Sequence, residues 1–230
     1  MNYLQRVLMR RIFFSFLAVA SLLPATNARA AEAVPGLDEV PLSQLLEVVV
    51  VDRDMLAFDA RSGGQISEEL RLDERVSWYG SRGSVGAVLT DERILVVGVG
   101  SASWQVVEFQ KGEAAPAEAL LGDRLGMVVT NRRALGFGGE PVVVSDLALG
   151  IREVVLAQRV GENVAVLVTD RRALGLSPLR AGFAEIKLWL SETVQSVSAV
   201  ANLATLRSDR RILIFRSSTR SWEERRLDLP

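Results

Sequence analysis

An all-β fold of five four-stranded units is predicted by three observations. First, one short phrase is written five times. The copies read Val51-Asp52-Arg53-Asp54-Met55-Leu56, Thr90-Asp91-Glu92-Arg93-Ile94-Leu95, Thr130-Asn131-Arg132-Arg133-Ala134-Leu135, Thr169-Asp170-Arg171-Arg172-Ala173-Leu174 and Ser208-Asp209-Arg210-Arg211-Ile212-Leu213. Their Asp/Asn positions lie 39, 40, 39 and 39 residues apart, and a fixed period of this size marks a repeat architecture. Second, the apolar columns within each copy are spaced by two, the period of a strand. Third, no copy carries a sustained helical pattern.

The copies begin near residues 47, 86, 126, 165 and 204, at Glu47, Gly86, Gly126, Ala165 and Ala204. Position ten is Leu56, Leu95, Leu135, Leu174 and Leu213, and position twelve is Phe58, Val97, Phe137, Leu176 and Phe215. Position 24 is Leu70, Phe109, Leu149, Leu188 and Leu227; position 26 is Leu72, Lys111, Ile151, Leu190 and Leu229. In the fourth copy the strands are expected at residues 164–169, 173–176, 183–190 and 194–200. The first two are joined by Asp170-Arg171-Arg172, and Asp or Asn suits such a turn because its side chain bonds local backbone and tolerates unusual φ.

Four strands in some 40 residues, repeated, are the signature of a β-propeller blade, and five blades lie within the usual range. The rival is an open β-solenoid, which needs atypical capping repeats. The fifth copy stops at Pro230 after its third strand. The period places its missing strand at residues 37–43, so residues 36–46 are expected to complete the last blade and close the ring. Pro41 is tolerated there because an outermost strand leaves one edge unbonded. The strand through residues 48–51 is then expected to be innermost, and the small first positions Gly86, Gly126, Ala165 and Ala204 to suit a crowded axis.

Residues 1–30 read as a signal peptide. Arg6, Arg10 and Arg11 form a basic start, residues 12–23 are apolar-rich, and Ala28-Arg29-Ala30 is a small-x-small cleavage signature. The apolar stretch is too short for a spanning helix. Residues 31–230 are then one propeller domain. Cleavage removes four of the 27 basic residues and none of the 28 acidic ones, leaving a mildly acidic protein. That argues against a nucleic-acid partner and against an anionic membrane surface after signal cleavage. The chain has no Cys and no His. His-based catalytic triads and His-containing zinc sites are therefore excluded, as is a disulfide framework. Export without disulfides points to a bacterial periplasmic or secreted protein.

The Thr130-Asn131-Arg132-Arg133 run resembles a hairpin of bacterial pleckstrin-homology-like domains. Those domains end in a helix for which this sequence has no counterpart, so the resemblance implies a shared hairpin. In fold, the mature chain resembles five-bladed β-propellers in general. The Trp-Asp signature of WD40 repeats is absent.

Arg93, Arg133, Arg172 and Arg211 invite an anion-binding reading. A feature present in nearly every blade is scaffold, and these arginines are expected to pair with strand acids such as Glu108, Glu185 and Glu224. The loops Gly80-Ser81-Arg82-Gly83-Ser84, Gly122-Asp123-Arg124, Gly161-Glu162-Asn163 and Ala201-Asn202 differ between copies. They are expected to link one blade's outer strand to the next blade's inner strand, and loops on rigid scaffolds carry function. Arg82, Asp123, Arg124, Glu162, Asn163 and Asn202 are therefore the candidate ligand contacts. Glu47 is the lone charge among first positions, and Arg207 the lone polar residue in the column Val50, Leu89, Val129 and Val168. Ring closure would let them pair across the junction of copies one and five, which a buried Arg requires.

The expected function is an exported, non-catalytic binding or scaffolding propeller, a monomer with a protein or small-molecule ligand. No catalytic residue, metal or cofactor is assigned. The alternative is a carboxylate-based glycoside hydrolase, an activity hosted by five-bladed propellers. It needs an Asp/Glu pair at defined separation, and the inner strands offer only Glu47. A cation at the Asp turns is disfavoured, since calcium wants six to eight oxygens and each Asp is flanked by Arg.

Overall fold

In a computed structural model the described residues are 44–227. They form nineteen strands in five antiparallel sheets. Blade one holds β1 (Leu46–Val51), β2 (Asp54–Asp59) and β3 (Gly64–Glu69). Blade two holds β4 (Val76–Arg82), β5 (Val85–Thr90), β6 (Arg93–Gly98) and β7 (Gln105–Glu108). Blade three holds β8 (Leu120–Leu121), β9 (Leu125–Val129), β10 (Arg133–Gly138) and β11 (Val143–Ala148). Blade four holds β12 (Val155–Val160), β13 (Ala165–Thr169), β14 (Arg172–Leu176) and β15 (Ala184–Lys187). Blade five holds β16 (Val194–Val200), β17 (Leu203–Ser208), β18 (Arg211–Arg216) and β19 (Ser221–Arg226). Each strand pairs with its sequence neighbour, the up-and-down pattern of a β-propeller blade.

The strands group differently from the expectation. Residues 194–200 do not finish blade four. They pair with β17 from Val194↔Ser208 to Val200↔Leu203 and so open blade five. The reason is local: only Ala201 and Asn202 separate the two strands, with Ala201 at φ 47, and so short a connection makes a hairpin. A 39-residue period fixes the repeat but not its phase. Blade five thus takes four strands from within residues 194–226. The corresponding opening strand of blade one would precede β1, at residues 37–43. That segment, and with it the proposed closure, lies outside the described residues, as does the signal segment 1–30.

The phase also moves the strand of residues 48–51. It is second in its blade type, and in interior blades it runs between two partners. Its counterparts β5 and β13 are buried along their whole length, as is β6. Alternate side chains point to the preceding and following blades, and four apolar clusters fill the gaps between. Val48, Met55 and Ala57 meet Val88, Leu95 and Val97 between blades one and two. Ala87, Leu89, Ile94 and Val96 meet Val128, Leu135 and Phe137 between blades two and three. Met127 and Ala134 meet Leu167, Leu174 and Leu176 between blades three and four. Val166, Val168 and Ala173 meet Ala204, Leu206, Leu213 and Phe215 between blades four and five. The small first positions serve this face-to-face approach: a Cβ on Gly86 would stand 2.4 Å from the Val48 methyl of blade one.

Among the described residues no such cluster joins blade five to blade one. The burial patterns agree: β2 and β17 both alternate buried with half-buried or exposed residues, as a sheet covered on one face does.

Candidate functional site

Arg82 ends β4, and the other five candidate residues lie in the turns between the first and second strands within single blades, not in connections between blades. Backbone bonds tie these turns into a track. Leu45 N–H donates to Gly83 O at 2.8 Å, Ser84 N–H to Asp123 O at 2.7 Å, Asp123 N–H to Glu162 O at 2.8 Å, and Asn163 N–H to Ala201 O at 2.8 Å. The approach is close enough to require glycine at Gly122, where a Cβ would meet Gly161 O at 2.1 Å. The side chains join the track. Arg82 Nε pairs with Asp123 Oδ1 at 2.9 Å, and Asn163 Nδ2 donates to Asn202 Oδ1 at 2.9 Å. Arg124 stands 3.9 Å from Glu140. Asp123, Arg124 and Asn163 do converge on one cavity of about 230 Å³, with Leu45, Ser84 and Glu140. Arg82, Glu162 and Asn202 do not line it.

The repeated arginines belong to a network at the opposite end of the blades. Arg93 Nε lies 2.8 Å from Glu74 Oε1, and its Nη2 donates to Glu74 Oε2 at 3.0 Å and to Glu69 O of the preceding blade at 2.9 Å. The same set recurs. Arg133 binds Glu113 and Glu108 O, Arg172 binds Glu153 and Ala148 O, and Arg211 binds Glu192 and Lys187 O. Each glutamate sits in the linker between blades and each carbonyl in the preceding blade's last strand, so every arginine staples its blade to the one before. The third nitrogen takes a strand acid: Glu68, Asp146, Glu185 or Glu224. The expected Glu185 and Glu224 pairs are present. Glu108 instead pairs with Arg71 and gives Arg133 only its carbonyl.

These carboxylates are almost wholly buried, with side-chain exposure between 0 and 2%. Burial pushes each carboxyl up, but the bonds from arginine, a backbone N–H and a Thr or Ser hydroxyl outweigh it. Glu74 and Glu153 are held at about 2, and Glu113 and Glu192 are lowered likewise. The hydroxyls are Thr90, Thr130, Thr169 and Ser208. They also accept the turn N–H of Arg93, Arg133, Arg172 and Arg211, so the hydroxyl rather than the Asp organises the turn. Asp91, Asn131, Asp170 and Asp209 reach across to accept a linker N–H, from Arg75, Ala114, Val154 and Thr193. The sequence reading missed Glu74, Glu113, Glu153 and Glu192, although their spacing of 39, 40 and 39 residues repeats the period. The residue before each glutamate has positive φ: Asp73, Gly112, Arg152 and Ser191. Blade one departs from the pattern, with Val51 in the hydroxyl column and Asp54 in the arginine column.

Glu47 and Arg207 form no ion pair. Glu47 is exposed and accepts from Ser81 Oγ at 3.4 Å, and Arg207 is exposed on β17. A cavity of about 440 Å³ on the edge of blade one is lined by Glu47, Phe58 and Asp59, among others. Two carboxylates in one cavity are the nearest approach to a hydrolase pair. Burial raises the Asp59 carboxyl, but N–H donors from Gly100, Arg61 and Ser62 outweigh that and hold it below its usual range. The same bonds make this carboxylate a turn anchor. Among the described residues no cluster of three or more acidic side chains is placed to hold a metal ion.

No family model and no curated protein matches this chain. Solved structures resemble it at low identity. Human WBSCR16 is 14% identical with a TM-score of 0.41, over 71% of this chain and 56% of that one. Prp20p of Saccharomyces cerevisiae, solved in a study of its binding to Gsp1p and histones, is 8% identical with a TM-score of 0.41, over 76% and 56%. The WD40 domain of SCAP from fission yeast is 12% identical with a TM-score of 0.38, over 83% and 55%. The chain thus spans little more than half the length of these proteins. Its class rests on its own strand order: five antiparallel blades of a β-propeller.

Proposed function

We propose that this chain is an exported, non-catalytic binding or scaffolding propeller whose partner is a polypeptide. Besides the exposed linker residues Leu72, Ile151 and Leu190, apolar side chains are left uncovered on the outward sheet faces of blades one and five, and that is the carrying observation. Phe58 and Val51 on blade one, and Leu203 and Val200 on blade five, are 41%, 50%, 41% and 69% exposed on sheet faces. Uncovered apolar residues on sheet faces suit a protein partner. The conspicuous charges are engaged in stapling blades, and Asp59 at the blade-one cavity is held by N–H donors from Arg61, Ser62 and Gly100. Export rests on the basic start, apolar stretch and small-x-small signature of residues 1–30, and a mature chain starting at Ala31 is the expected product.

A photo-crosslinking residue placed at Phe58 in cells should yield a covalent adduct with a polypeptide. No adduct, together with a glycosidase activity that Glu47→Gln abolishes, would favour the hydrolase alternative.

A further inference from the structure

The outward faces of blades one and five are each half of a blade interface. Leu56 and Phe58 stand in columns whose members in the other four blades are 0 to 3% exposed, yet Phe58 is 41% exposed and Leu56 half-buried. On blade five, Ile212 shares its column with Met55, Ile94, Ala134 and Ala173, all 0 to 1% exposed, but is itself half-buried. A terminal repeat meant to face water would have a polar outer face. These faces keep their large apolar residues and add charge of opposite sign.

The charges sit at matching places in the repeat. Glu47 replaces the Gly or Ala that faces the preceding blade elsewhere. Arg207 replaces the Val or Leu that faces the following one. Asp54 reinforces the acidic face, and Arg216 and Arg225 the basic one, with Glu223 bound to Arg216. By register, Arg207 lies opposite Ile212 and Ile212 opposite Arg225, so charge and apolar surface are interleaved. Among the described residues no apolar cluster or ion pair brings the two faces together in one chain.

We propose that the acidic blade-one face of one copy docks on the basic blade-five face of a second copy, head to tail. This rests on the polypeptide-binding reading above and commits its partner to the chain itself. Each interior interface shows the geometry such a contact would take: a forward face packed on a backward face, with Gly86 at the position of Glu47 standing over Val48 and Leu46. In the same geometry Glu47 would stand over Thr205 and Leu203, with Arg207 two residues further along the same strand face. A heterologous contact of this kind repeats until a ring closes, or grows as a filament. Complementary charge fixes its register and suppresses face-to-face pairing of like ends.

Charge reversal in the exported full-length protein tests this. Sedimentation of the wild type should show a mass that falls to the monomer on dilution. E47R and R207E should each stay folded and monomeric, since both side chains are exposed. Mixing the two variants should restore association, because each supplies the face the other lacks. A wild type that is monomeric throughout overturns the proposal, as does association that survives both reversals. If either reversal lowers the melting temperature of a monomer and only the double variant within one chain recovers it, the faces meet in cis and the second copy is excluded. A monomer whose Phe58 position crosslinks in cells to a different polypeptide also excludes the second copy, while leaving the binding reading intact.

Discussion

The interior of the blade stack and its two ends are made from the same repeat and differ in what covers them. Between blades one and five, each of four interfaces has an apolar cluster and a buried Arg–Glu staple. Among the described residues the end faces have the apolar columns without the cover, and blade one has neither the arginine nor the hydroxyl of the staple. The difference separates two roles that a periodic sequence superimposes. A column of Leu and Phe says that a surface is built to be buried. A staple says which neighbour buries it, because its glutamate is in the linker and its carbonyl in the preceding blade.

The largest effect should come from breaking one staple. Glu192→Ala leaves Arg211, 2% exposed, with Glu224, Lys187 O and the Trp189 ring 4.2 Å away. Removing one partner of a buried pair costs roughly 3–5 kcal/mol, which denaturant unfolding would measure. Asp54→Ala, at the corresponding position of blade one, should change stability by less than about 0.5 kcal/mol, as an exposed site does. Equal losses at both positions would erase the contrast between interior and end.

The turn track comes next. Gly122→Ala puts a Cβ 2.1 Å from Gly161 O, and backbone must move to admit it. Overpacking of this kind costs about 1–3 kcal/mol, and a thermal melt should fall accordingly. Asp170→Ala removes the acceptor for Val154 N–H and should cost on the order of 1 kcal/mol, with no dependence on added calcium or phosphate. A ligand-dependent melting temperature that Asp170→Ala abolishes would make the turns binding sites. The smallest effect is expected at Arg82→Ala. Its pair with Asp123 is half exposed, and exposed pairs contribute about 0–1 kcal/mol.

Much of this organisation was legible in the sequence. The period, the strand spacing and the β class follow from columns such as Leu56, Leu95, Leu135, Leu174 and Leu213, because burial on a pleated sheet imposes a spacing of two. The phase was not legible. Residues 194–200 fit either blade four or blade five by pattern, and the two-residue turn Ala201-Asn202 decides between them. Five of the six candidate contacts lie in turns and Arg82 ends β4, but all were given the wrong connection. Their backbone bonds to neighbouring turns depend on how blades stack, which no single copy encodes. The staple glutamates went unnoticed because their immediate contexts differ, Asp73-Glu74 against Gly112-Glu113, Arg152-Glu153 and Ser191-Glu192. What unites them is a left-handed residue before the glutamate, which glycine adopts freely and other residues seldom do. The Glu47–Arg207 pairing was inferred from column departures, and the structure leaves both exposed on separate faces.

The four buried glutamates give the most direct test, by carboxyl NMR titration of the folded protein. A carboxyl held below its unfolded value of 4.5 contributes stability that is full above that pH and lost as pH falls toward the folded value. The account predicts that Glu74 and Glu153 titrate near 2, and that Glu113 and Glu192 also titrate below the ordinary range. Unfolding should set in between about 4.5 and 2 as the staples are protonated. Four glutamates titrating at ordinary values in a protein that stays folded through that window would contradict the claim that these pairs hold the blades together.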